Sequence, residues 1–246
     1  MPITIIKNAK PKFDNIKFEC DDIIHKKLEE WELTKEHLNK SNTTLLVGRP
    51  GSGKTYLLIN FVNKLYKKCF HHIYVFMPLH SRNSLKNNIF DKIDQSQVYD
   101  ELNQVNINDV YQKVKANALK GERSLIIYDD VQKALKDFSV LTSLKNIIAN
   151  QRHLKVVNLI LMQNYFALDK SLRELINNII MFKLNKSQTE KLFTECIEGG
   201  KEMFEEVRDL VFDKPYKWLF INCTSQKIYD GFDEIIFTSD DDEIEI

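Results

Sequence analysis

Glycine and proline are scarce in this chain, with 7 and 5 among 246 residues. So low a content excludes collagen-like, linker-rich and low-complexity disordered chains. No apolar run approaches the ~18 residues of a membrane-spanning helix, so membrane insertion is not expected. The opening stretch MPITIIKNAKPKF has an apolar patch but no basic start and no signal-type core, and secretion is not expected either. Cys20, Cys69, Cys196 and Cys223 are widely spaced and form no C-x-x-C pair. A disulfide framework is therefore not called for, and free thiols in a reducing compartment are the expectation. Net charge is missing too, since 35 Lys and Arg balance 35 Asp and Glu. The last seven residues, DDDEIEI, hold five of those acids, which leaves the body 35 basic against 30 acidic groups, a formal +5. That excess permits a nucleic-acid partner without requiring one.

What the chain does have is apolar material for a sizeable core: 43% apolar residues, 15 Phe and 9 Tyr. Ile23, Ile24, Lys27, Leu28, Trp31 and His37–Leu38 fall roughly at three-to-four spacing amid charges and predict a helix over 22–39. TTLLV at 43–47 reads as a short buried strand, and YLLINFVNKLYKK after it as a helix with Leu57, Leu58, Phe61, Val62 and Leu65 on one face. Further strands are expected at 72–79, 124–130, 155–163 and 179–184, with helices over 110–121, 134–150 and 171–178 and through much of 187–210. The polar stretch 80–108 predicts short helices mixed with surface loop. WLFINC and YDGFDEIIF predict added strands at 218–223 and 229–237. Short strands that are apolar on both faces and alternate with helices specify a mostly parallel α/β sheet covered by helices. The expected organisation is an N-terminal extension and helix over 1–42, a core over 43–185, C-terminal helices and strands of the same domain over 186–239, and an acidic tail over 240–246.

GRPGSGKT at 48–55 carries the first chemistry. Gly48, Gly51 and Gly53 let a backbone wrap closely around phosphate oxygens, and the amides near Ser52 to Thr55 point at the anion from the start of a helix. The candidate nucleotide-binding set is Gly48, Arg49, Pro50, Gly51, Ser52, Gly53, Lys54, Thr55 and Tyr56. Lys54 is expected on the β- and γ-phosphates and the Thr55 hydroxyl on Mg²⁺, which makes ATP with Mg²⁺ the expected cofactor pair. A glycine-rich loop between a strand and an amphipathic helix is a specific signal. Asp129 and Asp130 end the strand SLIIYDD at the sheet edge where crevice ligands sit. Asp129 is the candidate Mg²⁺ carboxylate. Asp130 is either the group that orients or deprotonates the attacking water or an N-cap of the next helix. Gln163, expected as a buried strand-terminal amide, either senses the γ-phosphate and water or bonds to backbone. Arg152 and Arg173 are candidate fingers reaching a neighbouring subunit's phosphate, or else surface ion-pair partners. Arg152 is expected near the edge where Asp129 and Gln163 emerge.

The order GRPGSGKT, LIIYDD, QRHLKVVNLILMQ and SLRELINNIIMFKL resembles the genome-packaging ATPases of nucleocytoplasmic large DNA viruses and virophages, within the FtsK–HerA superfamily. The resemblance runs from about residue 43 to 237. Its more specific parts are the Arg–His before the fourth strand, Gln163, the arginine-bearing segment before the fifth strand, and KWLFINCTSQKIYDGFDEIIF. It implies a RecA-like ASCE core with strand order 5-1-4-3-2 and ATP-driven movement of double-stranded DNA into a preformed capsid. A homo-oligomeric ring, pentamer or hexamer, at a capsid vertex or portal-like position goes with it, in the host cytoplasm or viral factory. By position, Lys54 and Thr55 match the phosphate-loop pair, Asp129 the Mg²⁺ carboxylate, Asp130 the catalytic acid (often Glu in the superfamily), Gln163 the sensor and Arg152 the trans-acting arginine. Two other classes use the same loop: a nucleotide or small-molecule kinase, and a nucleotide-dependent assembly protein.

Overall fold

Strand-forming runs in this chain are two to seven residues long and mostly dense in Ile, Leu, Val and Phe, and they assemble into one sheet. The computed structural model describes residues 3–6, 38, 40–66, 69–83, 89–197 and 201–237. The helix expected over 22–39, apart from Leu38, and the acidic tail therefore lie outside the described residues. The strands are β1 (Ile3–Ile6), β2 (Thr43–Val47), β3 (His72–Phe76), β4 (Val98–Tyr99), β5 (Ser124–Asp129), β6 (Val156–Met162), β7 (Asn178–Phe182), β8 (Trp218–Asn222), β9 (Lys227–Asp230) and β10 (Asp233–Phe237). They lie side by side as β1-β10-β9-β8-β7-β2-β6-β5-β3-β4. From β7 to β4 all pairs are parallel, and from β7 to β1 all are antiparallel. Counting the five long parallel strands from the one before the glycine loop gives 5-1-4-3-2, the expected order.

The period of two along each strand divides the core into two layers. Leu45, Val47, Ile126 and Tyr128 face one side, and Leu46, Leu125, Ile127 and Leu161 the other. The second side is covered by α1 (Lys54–Asn60), which continues as a π-helical turn over Phe61–Leu65 and buries Leu58, Phe61 and Val62. The first is covered by α3 (Gln104–Leu119), α4 (Phe138–Ala149), α6 (Lys186–Cys196) and α7 (Lys201–Val211). Two short helices, α2 (Leu79–Asn83) and α5 (Lys170–Arg173), lie in connections.

Side-chain caps explain where boundaries depart from the periodicity. Helix α3 starts earlier than expected because the Asn103 side chain accepts from the Asn106 amide at 2.9 Å. The helix expected over 134–150 is divided into a 3₁₀ turn, Ala134–Lys136, and α4, because the Asp137 side chain caps α4 by accepting from the Ser139 amide at 2.8 Å. The stretch 80–108 contains the end of α2, two 3₁₀ turns, β4 and the start of α3, with 84–88 outside the described residues. Ile3–Ile6, read as part of an extension, pairs with β10 in the same sheet. Trp218 packs edge-on against Phe232, centroids 5.1 Å apart.

A buried polar network fixes the amino-terminal ends of the central strands. Thr43 Oγ1 donates to Gln151 Oε1 at 2.8 Å and accepts from Asn158 Nδ2 at 3.1 Å. Asn177 Oδ1 accepts from the Thr43 amide at 2.9 Å and from Gln151 Nε2 at 2.8 Å. These bonds tie β2, β6 and β7 together at one level, so their opposite ends also finish at one level. Val47 accordingly stands opposite Met162 and Met181, and Asp129 opposite Leu161.

Candidate nucleotide site

At that carboxyl edge the loop after β2 turns back over the strand ends. The Gly48 amide donates to the Met162 carbonyl at 3.2 Å, which pins the loop's start to the end of β6. A Cβ at Gly48 would lie 2.6 Å from Ser52 Oγ and 2.8 Å from Phe182 Cβ, so no other residue fits there. Gly53 has φ 102 and opens α1, whose first backbone bond runs from the Leu57 amide to the Gly53 carbonyl at 2.9 Å. Left-handed backbone of this kind aims successive amides into the loop, forming an anion-binding concavity.

Pro50, Gly51, Lys54, Thr55, Asp129, Asp130 and Gln163 line one cleft of about 200 Å³, together with Ser81 and Gln132. Lys54 Nζ donates to the Gly48 carbonyl at 2.6 Å and the Arg49 carbonyl at 2.9 Å, so the ammonium is folded onto its own loop. Burial lowers its pKa, partly offset by Asp129 and Asp130. Asp129 is raised to about 6, by burial first and then by the Asp130 charge, against the pull of Lys54. Both shifts describe charges whose partners inside the protein are insufficient. The Thr55 hydroxyl and the Asp129 carboxylate share the cleft, and two hard oxygen donors beside an under-compensated buried acid fit Mg²⁺.

Asp130 lies just past β5 with φ 53, a left-handed conformation uncommon for residues with a Cβ. Its carboxylate caps no helix, because Asp137 occupies the cap of α4; the capping alternative is thereby removed. His80 Nε2 stands 3.6 Å from Asp130 Oδ2. Gln163 follows the last residue of β6 and is exposed rather than buried. The expectation of a buried amide fails because the strand stops at Met162 and the next residue faces the cleft.

The arginines separate clearly. Arg173 is committed within its own chain: Nε donates to Glu195 Oε1 at 2.8 Å, a terminal nitrogen donates to the Leu168 carbonyl at 2.8 Å, and the guanidinium stacks over Tyr165 and Phe166. A finger reaching a neighbour would have to abandon all four contacts, so this structure does not support that reading of Arg173. Arg152 is exposed and makes no side-chain hydrogen bond or ion pair with a described residue. It does not stand near Asp129 and Gln163, however. It lies in the turn entering β6, and the seven residues of β6 hold it roughly 20 Å from the strand's other end. A helix-to-strand connection in a parallel sheet always falls at that far edge.

Ser81 and Gln132 were not singled out from the sequence. Ser81 sits in α2, after β3, and Gln132 lies three residues past the end of β5, so neither is the terminal residue of a strand and no local spacing marks them.

A family model described as poxvirus A32 protein matches residues 30–244. Among curated proteins none matches. The fold is similar to that of B204, the DNA-packaging ATPase of Sulfolobus turreted icosahedral virus, with TM-score 0.59 and 24% identity over 76% of this chain and 95% of that one. B204 of Sulfolobus turreted icosahedral virus 2, the genome packaging NTPase, matches at TM-score 0.59 with AMPPCP bound (22% identity, 77% and 96% covered). Its complex with ATP-γS matches at TM-score 0.58 (23% identity, 77% and 96% covered). With the glycine loop and the two strand-end acids inside a family match of this extent, the chain belongs to the poxvirus A32 protein family.

Proposed function

We propose that this chain hydrolyses ATP with Mg²⁺ to move double-stranded DNA into a viral capsid, working as a homo-oligomeric ring at a capsid vertex in the host cytoplasm or viral factory. The observation that carries the proposal is the convergence of Lys54, Thr55, Asp129, Asp130 and Gln163 on one cleft from three separate stretches of sequence. Likeness of fold to the DNA-packaging ATPase B204 supports the DNA substrate, and nucleotide-analogue complexes of a protein with this fold support ATP.

Lys54 releases the Gly48 and Arg49 carbonyls and takes the β/γ oxygens, where its charge counters the charge that builds up during transfer. Thr55 and Asp129 would hold Mg²⁺, which would supply charge neutralisation to the triphosphate. Asp130 accepts a proton from, or orients, the water in line with the γ-phosphorus. The Gln163 amide donates to the γ-phosphate while its oxygen accepts from the same water. DNA contact follows phosphates along a basic lining of the ring. ATP turnover measured with and without double-stranded DNA, beside a screen of small phosphoryl acceptors, tests the proposal. Turnover stimulated by DNA, with DNA affinity falling steeply with salt, is expected. Phosphate transfer to a small acceptor would make the chain a kinase, and slow DNA-indifferent turnover would make it an assembly protein.

A further inference from the structure

The carboxyl edge of the sheet carries a second cleft, larger than the nucleotide cleft and joined to it at Asp130. It measures about 610 Å³ and lies between the start of α2, the segment joining β4 to α3, and the approach to α4. Leu102, Val131 and Val140 give it an apolar lining. Val105 on α3 and Phe138, the first residue of α4, are 76% and 78% exposed. Four carboxylates stand on the wall of the cleft, and three of them are committed within the chain. Asp100 pairs with Arg82 at 2.8 Å, Asp137 caps α4, and Asp130 faces His80. Glu101 is the fourth. It is exposed, accepts from the neutral Asn103 Nδ2 at 3.2 Å, and forms no ion pair with a described residue.

The amino-terminal edge carries the opposite sign. Residues 150–155, between α4 and β6, form a tight turn. The Leu154 amide donates to the Asn150 carbonyl at 2.9 Å, and the Lys155 amide to the Arg152 carbonyl at 3.2 Å. Leu154 is buried and Gln151 belongs to the network with Thr43, so the turn is held firmly from beneath. Arg152, His153 and Lys155 are exposed on it and make no side-chain hydrogen bond or ion pair with a described residue. A Cβ at Gly121 would stand 3.9 Å from Lys155 Nζ, which puts the exposed Lys120 close by. Glu122, the nearby acid, is taken by His72 at 2.8 Å.

We propose that the cleft at the carboxyl edge receives the 150–155 turn of a second copy of this chain, with Lys155 of that copy paired to Glu101. The proposal rests on the ring reading above and deepens it by naming the two surfaces that meet. They lie at opposite ends of one set of parallel strands, so joining them is head to tail, and repetition closes a ring where the rotation allows. Each surface presents uncompensated charge of one sign, and opposite charge across a contact fixes its register. The apolar lining of the cleft receives the methylene stems of the incoming cations. Arg152 then enters beside Asp130, on the wall that the two clefts share.

Sedimentation velocity on the full chain, over a range of concentration and salt, tests this contact. Association of the parent is expected to weaken as salt rises, because charges on both rims are screened. Glu101→Lys and Lys155→Glu each set like charges against one another and should weaken association by about tenfold or more. Both residues are exposed and neither lines the nucleotide cleft, so each variant should fold and bind ATP as the parent does. E101K and K155E combined in one chain restore opposite charges, and association should return to near the parent's. Mixing the two single variants gives a second reading, because each carries the surface that fits the other's reversed one. Mixed assemblies are expected at concentrations where either variant alone stays dissociated. Reversals without effect on a parent that does assemble would overturn this contact and leave the ring standing. So would a double variant, or a mixture, no better associated than either single variant. A parent that stays monomeric at every concentration would overturn the ring itself, and this contact with it.

Discussion

In the proposed mechanism Lys54 exchanges two carbonyl partners for phosphate oxygens, and burial already lowers the pKa of its ammonium. Its side chain is therefore poised to gain from a polyanion. Lys54→Ala should leave the fold intact and lower ATP turnover by about 100- to 1000-fold, since one preorganised charge on the transferred group is lost. Phosphate release by folded K54A protein at the parent's rate would remove the loop from the mechanism. Asp130→Asn keeps the shape and removes the basic oxygen. Mg²⁺-ATP should still bind to D130N, while single-turnover hydrolysis slows by about 100-fold or more. Near-normal turnover would leave water activation to another group, and His80, 3.6 Å away, would be the next residue to exchange. Both residues could be read from the sequence, because a glycine loop and a strand-terminal acid pair have local spacing. The side-chain exposure of Gln163 could not, since it depends on where β6 stops.

At the scale of elements, strand identity was legible because each parallel strand is apolar on both faces and sits between helices, whereas strand order came from the family resemblance and not from the residue pattern. Helix starts at Asn103 and Asp137 were less so: one side-chain bond to an amide decides each, and Asn or Asp occurs at many positions nearby. The strand β4 and the pairing of Ile3–Ile6 with β10 were not legible, because two- to four-residue strands have no period to detect. The buried network of Thr43, Gln151, Asn158 and Asn177 was invisible as well, its members being up to 134 positions apart. It makes a sharp prediction. Asn177→Ala leaves the Thr43 amide and Gln151 Nε2 without this acceptor. Two stranded donors should cost about 3 kcal/mol. In a domain of this size that is a Tm lower by roughly 6–12 °C. ATP affinity of the folded variant should be unchanged, because the network and the phosphate edge are at opposite ends of the same strands. An unchanged melt would mean that water or a backbone shift replaces Asn177, and a loss of ATP affinity at low temperature would mean that strand register reaches the loop.

The position of Arg152 fits a role in the proposed ring rather than in a single subunit. It stands at the amino-terminal edge of the sheet, with the whole of β6 between it and its own Asp129, so it cannot serve its own nucleotide. A closed ring built head to tail joins two different surfaces of each subunit. An exposed guanidinium on the edge opposite the site is then on a surface available to the next subunit's γ-phosphate, whereas Arg173 is held by Glu195 and two aromatic rings. R152A should bind ATP normally and yet lose about 1000-fold or more in turnover when assembled, the loss typical of a missing finger. The parent's turnover per subunit should rise with concentration as rings form. Mixing R152A with K54A decides between a role in trans and any indirect one. A K54A subunit cannot hydrolyse ATP but carries an intact Arg152, and an R152A subunit has a working loop but no finger to lend. Where the two meet in the right order, one complete site is restored. Partial recovery of hydrolysis in mixed rings, absent from either variant alone, is the expected result. Verified mixed rings without recovery would deny Arg152 the trans role, and full activity of R152A by itself would remove it from the mechanism.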